Sequence, residues 1–270
     1  MSVLHATIFF SYTVAGILVG LTCLNQLAGQ KMLLLSVGYL AAAIGLAWHL
    51  WMLYLLILVP QGTQLTIGTT VSVIGLELVL VAMLSGIEKS LRGLSGGMLL
   101  LAGITGIMAG GNTPPHETTV MTMQVQSHIL ISLFSYGLLT VGAIVAIYAL
   151  IQETRLQAGM FSPINQLFAP LETTEKLLFA ITSAGFLSLI IAVSSGFAFV
   201  ENLFAQHLVH KTVLSLFALG IFGTLLTGRK FFGWRGKRAI YLYLGGFVIL
   251  CLGYFGSRYI LEEILGRSWG

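Results

Sequence analysis

The sequence contains no aspartate and little charge of any kind: only 8% of its 270 residues are charged. Soluble domains carry about 25%, so a water-soluble globular chain is excluded. No HExxH pattern occurs, nor a phosphate-cradling glycine loop ahead of a helix. Together with the missing aspartate, this leaves hydrolytic or kinase chemistry of the soluble type unsupported. Cysteine is almost absent as well. Cys23 and Cys251 stand singly in apolar stretches at opposite ends, with no CxxC pair and no C-x-x-C-H site. The chain is therefore not itself a c-type cytochrome with covalently attached haem.

What is abundant is apolar: 57% of residues are hydrophobic and the mean hydropathy is +0.95. A helix needs roughly 20 apolar residues to cross the hydrocarbon. The length then holds about eight spans with short loops, a single integral-membrane domain over residues 1–270 with no room for a separate soluble one. The fold class expected is an all-α polytopic transmembrane bundle. The opening MSVLHATIFFSYTVAGILVGL lacks a positive flank and a small-residue cleavage site, so it reads as a retained first span.

Hydropathy assigns the spans to Val3–Leu24, Met32–Val59, Thr69–Ser85, Gly96–Ala109, Val125–Ile151, Leu177–Val200, Thr212–Leu226 and Ala239–Gly256. The fourth is short and glycine-rich. With the N-terminus outside, the inner loops collect Lys31, Lys89, Arg92, Arg155, Lys176, Arg229, Lys230, Arg235, Lys237 and Arg238, ten of the 13 Lys and Arg. Only Lys211, Arg258 and Arg267 remain outside. The positive-inside rule thus puts both termini on the non-cytoplasmic side. The net charge of +4 sets orientation rather than marking a nucleic-acid surface, and no nucleic-acid partner is expected. GxxxG spacings at Gly16 and Gly20, and at Gly106 and Gly110, permit close helix approach.

In that topology all six histidines fall in the outer half: His5, His49, His116, His128, His207 and His210. Neutral imidazoles gathered at one depth are what a haem or metal site requires, since ligation uses an unprotonated nitrogen. His5, His116 and His207 sit at the interface or in loops, where water satisfies them. His49, in LAWHLWMLY, lies within hydrocarbon and reads either as a ligand or as a core histidine bonded to a neighbouring helix. His128 opens a span whose next turns carry Ser132, Ser135 and Tyr136, and it is the best single ligand candidate. His210 is a second ligand or an interfacial anchor beside Lys211. His128 and His210 enter from the same side at similar depth, whereas His49 is deeper by roughly two helical turns. Met121 and Met123 are alternative iron ligands or plain apolar filling.

Glu77 is the other intramembrane ionisable group, set in VSVIGLELVLV. A carboxyl there defaults to a functional hypothesis. It lies roughly 5 Å in depth from His49. The two would orient a ligand, relay protons or satisfy one another; otherwise Glu77 is protonated and bonded to a backbone carbonyl.

At HILISLFSYG, HKTVLSLFALGIF and GWRGKRAIYLYLGGFVILCLGYFGSRYI the chain resembles the cytochrome c assembly protein family of the CcsA and CcmC type, most closely its YpjD-like inner-membrane branch. The resemblance covers at least Val125 to Leu265. His128 with Ser132-Leu133-Phe134-Ser135-Tyr136 looks like the external haem-ligating histidine of that family. Gly233-Trp234-Arg235-Gly236 and Tyr254-Phe255-Gly256 look like its last loop and last helix, and Lys211 is similar to a lysine that follows its tryptophan-rich motif. Haem-handling members carry that motif, ending in Trp-Asp, before the penultimate span; here the segment reads FVENLFAQHLVHKTV, without tryptophan or aspartate.

The resemblance therefore implies a multi-pass inner-membrane protein of bacterial type that binds or handles non-covalent haem b. His128, with His210 or His49, would be its axial ligands, without cytochrome c synthetase activity and hence not an enzyme. Membrane lipid and other membrane or cytochrome-maturation proteins are the implied partners. Two readings of other classes stand beside it. One is a transport or regulatory subunit with an ion or proton route at Glu77 and His49. The other is a scaffold acting through the basic RKFFGWRGKR loop, which is also explained as an anchor near anionic lipid.

Overall fold

The computed structural model describes residues 2–59, 62–63, 67–109, 122–159, 168–199 and 206–253. Among them are eight α-helices: α1 (Ser2–Leu21), α2 (Lys31–Ile57), α3 (Ile67–Ser85), α4 (Arg92–Met108), α5 (Met123–Gln157), α6 (Leu171–Phe199), α7 (Gln206–Phe232) and α8 (Gly236–Cys251). Seven of these helices are long and apolar enough to cross a membrane, while α8 has 16 residues and ends at Cys251. An all-helical membrane bundle is the expected outcome of so little charge: in hydrocarbon only a helix or a closed barrel satisfies every backbone group internally. A two-residue antiparallel pairing, Leu58–Val59 with Gly62–Thr63, follows α2.

The helices agree with the eight hydropathic spans, but α5 and α7 run past theirs at both ends, because a helix does not stop where its apolar stretch stops, whereas α1 and α2 end short of Leu24 and Val59. α7 begins six residues before Thr212 and ends six after Leu226, and α5 continues from Ile151 to Gln157. The short fourth span proves to be a full helix. A 3-10 turn at Lys89–Leu91 leads into α4, so the apolar segment extends over Lys89–Met108. Its glycines have a packing reason: a Cβ at Gly96 would stand 2.8 Å from the Gly16 carbonyl oxygen and 3.1 Å from the Gly20 nitrogen. The Gly16/Gly20 spacing is thus the crossing point of α1 on α4, where only small residues let two backbones meet. Gly110, the partner of Gly106 in the second such spacing, lies outside the described residues.

The chain divides into two compact units. Unit 1 comprises Met1–Val120 with Thr154–Leu177, and holds α1 to α4. Its interior includes Ile8, Tyr12, Met52, Leu78, Met98 and Leu99. Unit 2 comprises Met121–Glu153 with Leu178–Gly270. It is centred on Tyr243 of α8, which donates a hydrogen bond to the Leu139 carbonyl of α5 at 2.7 Å and meets the Phe222 ring of α7 edge-on at 5.2 Å. Large apolar side chains such as Phe10, Leu40, Trp51, Leu187 and Phe217 are exposed, as lipid-facing positions are.

The basic RKFFGWRGKR segment forms a tight turn between α7 and α8. Gly233 and Gly236 take positive φ values of 64° and 59°, which side chains with a Cβ rarely adopt. The Trp234 ring folds onto Gly228, its backbone N–H donates to the Gly228 carbonyl at 3.2 Å, and the Arg238 guanidinium stacks on that ring at 3.9 Å. Arg229 likewise covers Phe179 at 4.6 Å. Arginine stacked on aromatic faces at a helix end is the arrangement expected of an interfacial anchor.

Candidate functional site

In unit 2, His128 stands one and a half turns into α5 and is half-buried. Its Nδ1 lies 2.9 Å from the Ser195 hydroxyl of α6. That hydroxyl donates its one proton to the Ala192 carbonyl, also at 2.9 Å. Ser195 must therefore accept from Nδ1–H, which leaves the imidazole lone pair on Nε2. The Ala192 carbonyl also accepts from the ring. Gly196 completes the seat: a Cβ there would stand 3.0 Å from Cε1 of His128, so the ring rests directly on the α6 backbone.

Two further contacts fix α5 at deeper levels. Ser135 donates to the Gly185 carbonyl of α6 at 3.2 Å, and Tyr136 meets the Ser215 hydroxyl of α7 at 3.4 Å. Ser135 and Tyr136 are thus latches from α5 to its neighbours. From the start of α7, the Lys211 ammonium bears electrostatically on the His128 ring. His210, the residue before it, has an exposed side chain.

In unit 1, His49 of α2 is fully buried and both of its nitrogens are engaged. Nδ1 is 3.2 Å from the Tyr12 hydroxyl of α1, and Nε2 is 2.7 Å from the Ser72 hydroxyl of α3. Its surroundings match a core histidine bonded to neighbouring helices. Glu77 is not among its partners. Ser72 and Glu77 are five residues apart, which turns them about 140° from one another round the helix. Glu77 is 3% exposed, and neither carboxyl oxygen has a hydrogen-bond partner among the described residues.

The structure therefore gives His128 and His49 defined surroundings and leaves His210 exposed, while His116 and Met121 lie outside the described residues, as does the side chain of His207. Ser195, Gly196, Tyr12 and Ser72 were not singled out from the sequence. Ser194-Ser195-Gly196, a small polar run inside an apolar span, carried a signal; Tyr12 and Ser72 carried none, being separated from His49 by 37 and 23 residues. Among the described residues no group of three or more His, Cys, Asp or Glu is arranged to hold a metal ion.

Comparison with known proteins bears on the same helices. The inner membrane protein YpjD of Escherichia coli (strain K12) is 36% identical over 137 residues, 51% of this chain and 52% of that protein. A protein of Azospirillum brasilense described as an "uncharacterized 28.8 kDa protein in nifR3-like 5'region" is 28% identical over 144 residues, 53% of each chain. The chain thus spans about half the length of the curated relatives it matches. No solved structure matches. Seven membrane-length helices among the described residues identify a multi-pass membrane protein. The family described as "Cytochrome C assembly protein" matches residues 37–265, reaching well before Val125 into α2, and the chain belongs to that family.

Proposed function

We propose that this chain is a haem-binding membrane protein of the cytochrome c assembly type, acting without synthetase activity, with His128 and His210 as the residues that would hold the iron. The observation that carries the reading is the seat of His128. A ring whose Nδ1–H is held by Ser195 presents Nε2, with its lone pair, as the only nitrogen available to an iron. The residues fit a haem in this respect, and Lys211, whose charge bears on His128, would be a cation near a propionate. Haem, when bound, would supply an iron centre for redox or for delivery to other maturation proteins. The chain's own residues bind and orient: Ser195 and Gly196 fix the ring, and Tyr136 with Ser215 ties α5 to α7 behind it. His49 is not assigned as a ligand, because either nitrogen would have to give up a buried hydrogen bond.

Protein purified in detergent after expression with ample haem is expected to show a Soret band and sharp reduced alpha and beta bands. Colourless protein overturns the reading. His210→Ala should leave a five-coordinate species, and His116→Ala should change nothing.

The same proposal requires His128 and His210 to open from the outer side, with both termini outside and the segment from Gln152 to Lys176 inside. Reporter fusions after Arg238 and at Gly270 are expected to give cytoplasmic and external signals respectively. The ten basic residues of the inner loops support this orientation. A cytoplasmic signal at Gly270 would reverse it.

A further inference from the structure

Unit 1 has a polar interior that haem ligation does not use. Its Tyr12–His49–Ser72 chain has all three side chains fully buried and both imidazole nitrogens bonded. Glu77 lies outside that chain, on a different face of α3, and is the eleventh of that helix's 19 residues. At 3% exposure it is sealed from lipid, so no helix docking from outside reaches its carboxyl group. Both oxygens nevertheless lack a hydrogen-bond partner among the described residues. Nor is it part of any metal-holding group of three or more His, Cys, Asp or Glu there.

A carboxylate stripped of water, with neither a cation nor a donor, is the least tolerable state for such a group, and neutralisation is the usual escape. A carboxylic acid then still needs an acceptor for its O–H and a donor for its C=O. We propose that Glu77 is a proton-binding site: it carries its proton inside the bilayer at neutral pH. The site is in unit 1, so it neither rests on the histidine site of unit 2 nor competes with it.

The test is infrared spectroscopy of the protein in lipid nanodiscs at neutral pH, with and without carbon-13 labelling of glutamate. The chain has nine acidic residues and no aspartate, so the label reaches every acidic side chain. A carboxylic-acid C=O band that moves on labelling and on exchange into heavy water, and is lost in Glu77→Gln, is expected. In Glu77→Asp the band should persist but no longer move with the glutamate label, which keeps the test open if Glu77→Gln fails to accumulate. If Glu77 variants alter only ionised-carboxylate bands, the group is charged and paired, and the proposal is overturned. The haem spectrum should be unchanged in these variants, so the two proposals fail separately.

Discussion

His128→Ala is expected to remove the two-histidine haem spectrum altogether, leaving protein that folds but takes up little haem. The ring contributes an available Nε2 held in one orientation, and no other imidazole described in unit 2 is fixed in this way. A graded counterpart is Ser195→Ala. It keeps the ligand but frees the ring and its tautomer, and loss of such a supporting hydrogen bond lowers metal affinity about 10- to 100-fold. Haem titration of the two variants distinguishes the roles: near-complete loss for the first, a shifted affinity with an altered spectrum for the second. Full haem occupancy with an unchanged spectrum in His128→Ala would remove His128 from the site.

The largest expected stability effect is at Gly142. The Tyr243 hydroxyl of α8 packs against the Gly142 backbone, a Cβ there would stand 2.7 Å from Tyr243 Cζ, and Ile181 of α6 closes the other side at 3.3 Å. Overpacking a core costs about 1–3 kcal/mol. Displacing Tyr243 also breaks its buried bond to Leu139, and an orphaned polar group adds about 1–3 kcal/mol. Gly142→Val is therefore expected to lose about 4 kcal/mol, read as a fall in the unfolding midpoint in mixed micelles. Gly142→Ala combined with Tyr243→Phe should be less destabilised than the sum of the two changes, because removing the hydroxyl makes room for the new methyl group. Strict additivity would show that the two residues do not share the space.

Most of the fold was legible from hydropathy alone, because insertion into hydrocarbon is decided by the local run of side chains. Each of the eight apolar stretches corresponds to a helix, including the glycine-rich fourth. Helix ends were less legible. α5 and α7 continue beyond their apolar stretches, since a polar segment just outside the membrane core keeps the same backbone bonds. For the candidate site, His128 was recognisable from its position before ILISLFSYG, and Glu77 from its charge within VSVIGLELVLV. Their surroundings were not recognisable.

Sequence by itself determined the class, the number of helices and the residues whose chemistry is out of place in lipid. These follow from composition and from periods shorter than one span. Tertiary structure alone decided which of those residues found partners. His49 is bonded at both nitrogens by Tyr12 and Ser72, His128 at one by Ser195, 67 residues away, and Glu77 at neither oxygen among the described residues. The physical reason is that a hydrogen bond between spans depends on which helix faces meet and how closely. Those approaches are set by small residues such as Gly16, Gly96 and Gly196, whose effect is steric and leaves no mark on hydropathy.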